Sequence, residues 1–241
     1  MPCKYRFPFY KNYVSQYMYR DTLTIFAIMK RILSILILLA GVVLVFIVLK
    51  KHTPVLEAKE ITKKNEQSSA FLYLKGKADS AKLFCKKNNY HTNYCILIDF
   101  KIHSGKNRIF VWDFNADTVL YSGLCAHGYG KGSTYTKPVF SNEPGSYCSS
   151  TGKYKIGAQY VSIWGIKIGY KLHGLENTNN NAYARNVVLH SYENIAEEEI
   201  SPEHIPLGYS QGCPVVSNQM MTNIHNLLKA AEKPVLLWIY Y

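Results

Sequence analysis

Eighteen consecutive residues without a charge, Ile32 to Leu49 (ILSILILLAGVVLVFIVL), constrain this chain more than any other feature. As a helix rising about 1.5 Å per residue the run spans roughly 27 Å, which is what one bilayer crossing asks for. Lys30-Arg31 and Lys50-Lys51 bracket it, no small-residue cleavage pattern closes it, and no Cys follows that would take a lipid. These features read as an uncleaved signal anchor at residues 32–49; helices of soluble cores rarely run so far without a strongly polar side chain. The formal charge is +12, of which the first 51 residues carry +7. A nucleic-acid binder concentrates charge in its folded domain, so no nucleic-acid partner is expected. Lys and Arg number three in the 20 residues before the run and five in the 20 after it. That bias alone opposes export, but large C-terminal domains translocate despite flanking charge, so the side of the membrane is decided by what the domain does. Residues 1–31 read as a cytoplasmic segment with seven aromatics between Tyr5 and Tyr19, unless Met29 is the true start.

Residues 50–67 are polar and charged, the composition of a linker, and 68–241 are long enough for one globular domain. The apolar spacing predicts a helix from Ser68 to Lys87, stopped by Asn88-Asn89. Beyond it the pattern turns to strands: Cys95 to Phe100, Arg108 to Phe114, Thr118 to Ala126, Tyr154 to Ala158, Ser162 to Leu172, Asn186 to Ser191 and Val235 to Tyr240. Asn115-Ala116-Asp117 reads as a hairpin turn, and a helix is expected near Asn218 to Ala231. The class is mainly β (α+β), preceded by one transmembrane helix. Two connections, the long loop 128–147 and the Asn-rich turn 177–181, are candidates for binding surface.

The chemistry concentrates in Asn186-Val187-Val188-Leu189-His190 and, 23 residues after the histidine, in Ser210-Gln211-Gly212-Cys213-Pro214. A cysteine nucleophile needs a base, and a His ending one strand beside a Cys beginning the next supplies one. Gly212 admits close backbone approach or positive φ. Pro214 has no N–H, so oxyanion donors are expected from the amides of Cys213 and Gly212 or their upstream neighbours, with Ser210 as a side-chain helper.

At these residues the chain resembles the L,D-transpeptidase catalytic domains that remodel murein, in particular a branch whose usual Ser-His-Gly-Cys motif reads Ser-Gln-Gly-Cys-Pro. The resemblance runs from about Ala78 to Tyr241. It takes in Ala126-His127-Gly128, Phe140-Ser141-Asn142-x-Pro144-Gly145-Ser146, Gly174-Leu175-Glu176 and Ala184-Arg185 ahead of the His190 strand. It implies a β-sandwich or barrel with peripheral helices, Cys213 as nucleophile, His190 as general base, and peptidoglycan stem peptides as substrate. It also implies no cofactor, and a catalytic domain outside the cytoplasmic membrane. The thiolate attacks the carbonyl of the third stem residue, D-Ala leaves, and an amine resolves the thioester. Departures are Gln211, where the commoner motif has His, and the acidic insert Glu197-Glu198-Glu199 between base and nucleophile.

Further expectations are that His127 lines the cleft and that Arg185 holds a substrate carboxylate or a structural salt bridge. Asn142 and Ser146, with Gly145, shape the long loop or touch substrate. Tyr147, Tyr160 and Tyr209 are candidates to wall a groove. No close C-x-x-C or H-x-x-x-H spacing marks a metal site. Cys85, Cys95, Cys125 and Cys148 allow three disulfide pairings or none. The alternatives are an L,D-carboxypeptidase, with water as acceptor, and a tethered peptidoglycan-binding protein without turnover.

Overall fold

The computed structural model describes the backbone of residues 10–241 and the side chains of residues 26–45 and 65–241. The aromatic segment Tyr5 to Tyr19 and the positions of Lys50 and Lys51 as charged flanks lie outside the described side chains, as does Cys3. The chain divides into two compact units, Met1–Ser69 and Ala70–Tyr241. In the first, helix α1 (Tyr10–Lys87) contains Phe26–Val45, twenty residues of mean hydropathy 2.4 with none buried, long and apolar enough to cross a membrane. The same helix takes in 50–67, the stretch whose composition reads as a linker, and it ends in the second unit at Lys87, where the apolar spacing places a stop.

The second unit is one nine-stranded sheet: β1 (Tyr94–Asp99), β2 (Ile109–Asp113), β3 (Thr118–Gly123), β4 (Cys125–Ala126), β5 (Gly152–Val161), β6 (Ile168–Gly174), β7 (Val188–Ser191), β8 (Val215–Val216) and β9 (Leu236–Tyr240). Their order is β3-β2-β1-β9-β5-β6-β7-β8-β4. β3 and β4 sit at opposite ends of that order, yet only Leu124 separates them in sequence. The sheet must therefore curl until its ends nearly meet, giving an almost closed barrel. The expected single strand Thr118 to Ala126 is thus two, serving the two ends of the sheet.

β1 is buried at all six positions, as its unbroken apolar run requires of a central strand covered on both faces. On one face Ile96 and Ile98 join Val111, Leu172, Leu189 and Leu237, sealed by Met220, Met221 and Ile224 of helix α2 (Asn218–Lys229). On the other, Cys95 and Leu97 pack with Trp112 against Ala78, Ala81 and Cys85, the small-residue stripe at the end of α1. Cys85, Cys95, Cys125 and Cys148 are buried free thiols, and burial raises Cys85 and Cys125 to about 12, so they stay protonated and unreactive.

A further element differs from the sequence expectation. Ser162 to Leu172 is not one strand: Ser162–Lys167 is the turn of the β5–β6 hairpin, with Gly165 and Lys167 at φ of +54° and +64° and the Trp164 amide donating to Ser162 Oγ at 3.1 Å. The acidic insert also has a structural use. Glu197 accepts hydrogen bonds from Ser217 Oγ and from the Gln219 amide at 3.0 Å, placing a carboxylate on the N-terminus of α2. The strand leading out of the Cys213 loop runs straight into that capped helix.

Candidate active site

β7 and β8 run parallel with His190 opposite Val215, two residues beyond Cys213. This register brings the base and the nucleophile to the same end of the sheet, and both line one cleft of about 440 Å³. The β5–β6 turn forms its other wall with Tyr160, Ile163 and Trp164, while Tyr147 and Tyr209 close the sides. A smaller lobe of about 120 Å³ opens between Trp164, Tyr192 and Tyr209 and shares the His190 ring with the main cleft.

His190 is 8% exposed, and its Nδ1 lies 3.0 Å from the Ser191 carbonyl oxygen. A carbonyl only accepts, so Nδ1 carries the hydrogen and the neutral ring keeps its lone pair on Nε2. Burial pushes the imidazole below its ordinary pKa, opposed by the Ser191 contact, so it is an unprotonated base at neutral pH. Cys213 is half-buried. Burial raises its thiol above the ordinary value, against the Val188 backbone and the charges of Arg185 and Lys171, which draw it down. The resting pair is thus a thiol beside a neutral imidazole, whose proton moves when substrate is attacked. Cys213 Sγ makes no hydrogen bond to His190 among the described residues; its S–H points to the Asn186 carbonyl at 4.0 Å.

The Ser-Gln-Gly-Cys-Pro loop is held from inside. Ser210 Oγ donates to the Cys213 carbonyl at 2.5 Å and accepts from the Gly212 amide at 3.0 Å. Gly212 is therefore spent as an oxyanion donor and Ser210 as a side-chain helper. The Cys213 and Gln211 amides are left, neither donating elsewhere among the described residues. Gly212 stands at φ +113°, and a Cβ there would meet the Cys148 carbonyl oxygen at 2.7 Å. Gly128 packs on it so closely that an added Cβ would lie 2.8 Å from the Gly212 Cα. Both glycines are thus required by contact. Gln211 is exposed at the cleft.

The other sequence candidates fall elsewhere. His127 does not line the cleft: it is 5% exposed, accepts at Nδ1 from Arg108 Nη2 at 3.0 Å and donates from Nε2 to the Thr134 carbonyl at 2.9 Å. Burial, then Arg108, lowers its pKa to about 4, so it is a neutral structural link. Arg185 touches the cleft, but its guanidinium is used by the long loop. It donates to the Ser141 carbonyl at 2.9 Å, Ser150 Oγ at 2.6 Å, Ser146 Oγ at 3.2 Å and the Cys148 carbonyl at 2.7 Å. Among the described residues no carboxylate pairs with it. Arg185→Ala is expected to cost about 3 kcal/mol, read by urea unfolding, since two or more charge-assisted bonds are lost with carbonyls stranded; a pure rise in KM at unchanged stability would restore the substrate-carboxylate role. Ser146 is buried against Arg185, and Asn142 ties the loop to the Asn-rich turn through the Asn177 carbonyl at 3.0 Å and Asn180 Oδ1 at 2.6 Å. Both shape the loop, and neither lines the cleft.

Sequence reasoning missed Trp164 and Ile163, read as strand interior, although Gly165 in that run signals a turn. It also missed the part that Asn186 and Val188 play against the sulfur. Among the described residues no group of three or more His, Cys, Asp or Glu side chains gathers as metal ligands.

Among curated proteins none matches this chain. Solved structures similar to it include an L,D-transpeptidase from Xylanimonas cellulosilytica, 12% identical over 61% of this chain and 60% of that one, with a TM-score of 0.37. The helical cell shape determining protein Pgp2 from Campylobacter jejuni is 10% identical over 61% of this chain and 46% of that one, TM-score 0.38. A fused Zn-dependent amidase/peptidase/peptidoglycan-binding protein from Clostridium acetobutylicum is 15% identical over 68% and 59%, TM-score 0.33. The chain spans less than two thirds of each of these. The family model of the L,D-transpeptidase catalytic domain matches residues 65–240, from within α1 to the last residue of β9, and the chain belongs to that family.

Proposed function

We propose that this chain is a membrane-anchored L,D-transpeptidase that acts on peptidoglycan stem peptides through a thioester on Cys213. The observation that carries the reading is the shared cleft: a neutral imidazole on β7, its Nε2 without a partner among the described residues, and a cysteine thiol in the loop that enters the neighbouring parallel strand β8, beside two unspent backbone amides. In the proposed reaction His190 Nε2 takes the Cys213 proton as Sγ bonds to the carbonyl carbon of the third stem residue. The Cys213 and Gln211 amides face the developing oxyanion. Collapse breaks the amide bond to the terminal D-Ala, whose amine leaves with the proton from His190. An acceptor amine then gives a proton to His190, attacks the thioester, and releases the thiol as a new amide forms. Phe26–Val45 supplies the anchor, and the substrate places the domain outside the cytoplasmic membrane.

Amine and water compete at the second step. The test is mass analysis of products from the full chain in detergent, given a tetrapeptide muropeptide alone and with a second stem in excess. Cross-linked product that rises with acceptor is expected. Tripeptide as sole product at saturating acceptor would make the enzyme an L,D-carboxypeptidase, and no turnover with either would leave the binding-protein reading.

A further inference from the structure

We propose that Asn186, clamped by Lys171, is a positioning residue for the Cys213 thiol. This rests on Cys213 being the nucleophile but goes beyond it. The sulfur lies against one short segment: the Asn186 carbonyl, 4.0 Å away, accepts the S–H, and the Val188 backbone two residues on draws the thiol pKa down. That acceptor orients the S–H, and Cys213 itself opens to the cleft.

That arrangement depends on an uncommon backbone. Asn186 has φ +59°, the left-handed region that Asn tolerates and β-branched residues do not. An extended residue here would continue β7 backwards and turn the carbonyl away from Sγ. The side chain is held as well, because Lys171 Nζ on β6 donates to Asn186 Oδ1 while lying 4.9 Å over the Tyr160 ring. Lys171 stands opposite Val188 in the β6–β7 register, so the clamp shares a rung with the residue whose backbone approaches the sulfur. The amide of Asn186 is taken by the Tyr183 carbonyl at 3.0 Å, which closes the preceding turn. Tyr160, Lys171, Asn186 and Cys213 thus form a continuous line from the hairpin wall to the nucleophile.

The test is the pH dependence of Cys213 alkylation by iodoacetamide in the full detergent-solubilised chain, followed by peptide mass at Cys213. It needs no peptidoglycan substrate. The groups around the sulfur that bear on the profile are Lys171 and Tyr160 from the hairpin, Arg185 from the preceding turn and His190 from β7. Asn186→Gly keeps the left-handed backbone and is expected to alkylate within about threefold of wild type. Asn186→Val is expected to react at least about tenfold more slowly at pH 7, because it resists that backbone. Lys171→Met keeps the contact with Tyr160 but releases Asn186 and removes a positive charge, so its alkylation midpoint should move up in pH. Lys171→Met in the Asn186→Gly background should then add less than it does alone, because the clamp has nothing to hold. A wild-type profile for Asn186→Val overturns the proposal. Should that variant fail to fold by circular dichroism, an unchanged midpoint for Lys171→Met, or equal effects of Lys171→Met in both backgrounds, overturns it instead. Variant-dependent alkylation with no thioester from muropeptide would leave the positioning role standing and remove the transpeptidase reading.

Discussion

His190→Ala is expected to slow thioester formation at pH 7 by about 10² to 10⁴, the range that a positioned general base contributes. The pH profile should change shape as well as height. In the wild-type protein His190 must be neutral to accept the thiol proton, and burial holds its pKa below the ordinary 6.5. Activity should therefore be lost only as pH falls through that lowered value, with a plateau above it. The Cys213 thiol titrates above its ordinary 9.0, so spontaneous thiolate is scarce throughout that plateau. Without the imidazole, the rate should instead climb with pH across the neutral range, following the thiolate population. Stopped-flow or quenched intact-mass kinetics between about pH 5 and 9 separate the two shapes. A uniformly depressed copy of the wild-type profile would mean that His190 only supports the fold.

The second large effect is expected at Gly212. Its φ of +113° lies where side-chain-bearing residues are strained, and an added Cβ would press on the Cys148 carbonyl oxygen at 2.7 Å, a backbone atom with little freedom to retreat. Gly128 backs the same point, so the loop has no room on that side either. Gly212→Ala should displace the nucleophile and cut thioester formation by about 100-fold, the cost of roughly an ångström of misplacement. Gln211→Ala, changing an exposed neighbour, should stay within a few-fold, because the loop is fixed by Ser210 and Gly212. A Gly212→Ala chain within a few-fold of wild type would show that the loop tolerates the side chain, and a loss of about 100-fold in Gln211→Ala would give Gln211 a direct role. The assay is the same intact-mass measurement, with melting temperature recorded to separate site damage from unfolding.

The parts of this molecule legible in the sequence are those written in local pattern. The apolar run of α1, the strand runs at Cys95 to Phe100, Arg108 to Phe114 and Val235 to Tyr240, the hairpin turn at Asn115-Ala116-Asp117 and the α2 helix have such patterns, and each is found. His190 and Cys213 come to one cleft, as expected of a His near the end of one strand and a Cys in a glycine turn before the next. Arg185 and His127 were not. A guanidinium in a cleft and a histidine at a strand end have the same local signature whether they meet substrate or protein, and only tertiary structure puts Ser141, Ser146, Cys148 and Ser150 around one and Arg108 with Thr134 around the other. Likewise the sequence shows Glu197 only as part of an acidic insert. Its role appears once β8 places Ser217 and the α2 N-terminus beside it. The break at Leu124 was hidden for the same reason: the residues suit a strand throughout, and barrel closure divides them.

The most direct test of the central claim is the intact mass of the full chain after brief incubation with a tetrapeptide muropeptide, followed by proteolysis and localisation of any adduct. The account predicts a mass gain equal to the tripeptide-bearing acyl group, with D-Ala lost, confined to the peptide carrying Cys213 and released by an added amine. A chain that is folded and binds the muropeptide but gains no mass, or gains it at a residue other than Cys213, would contradict it.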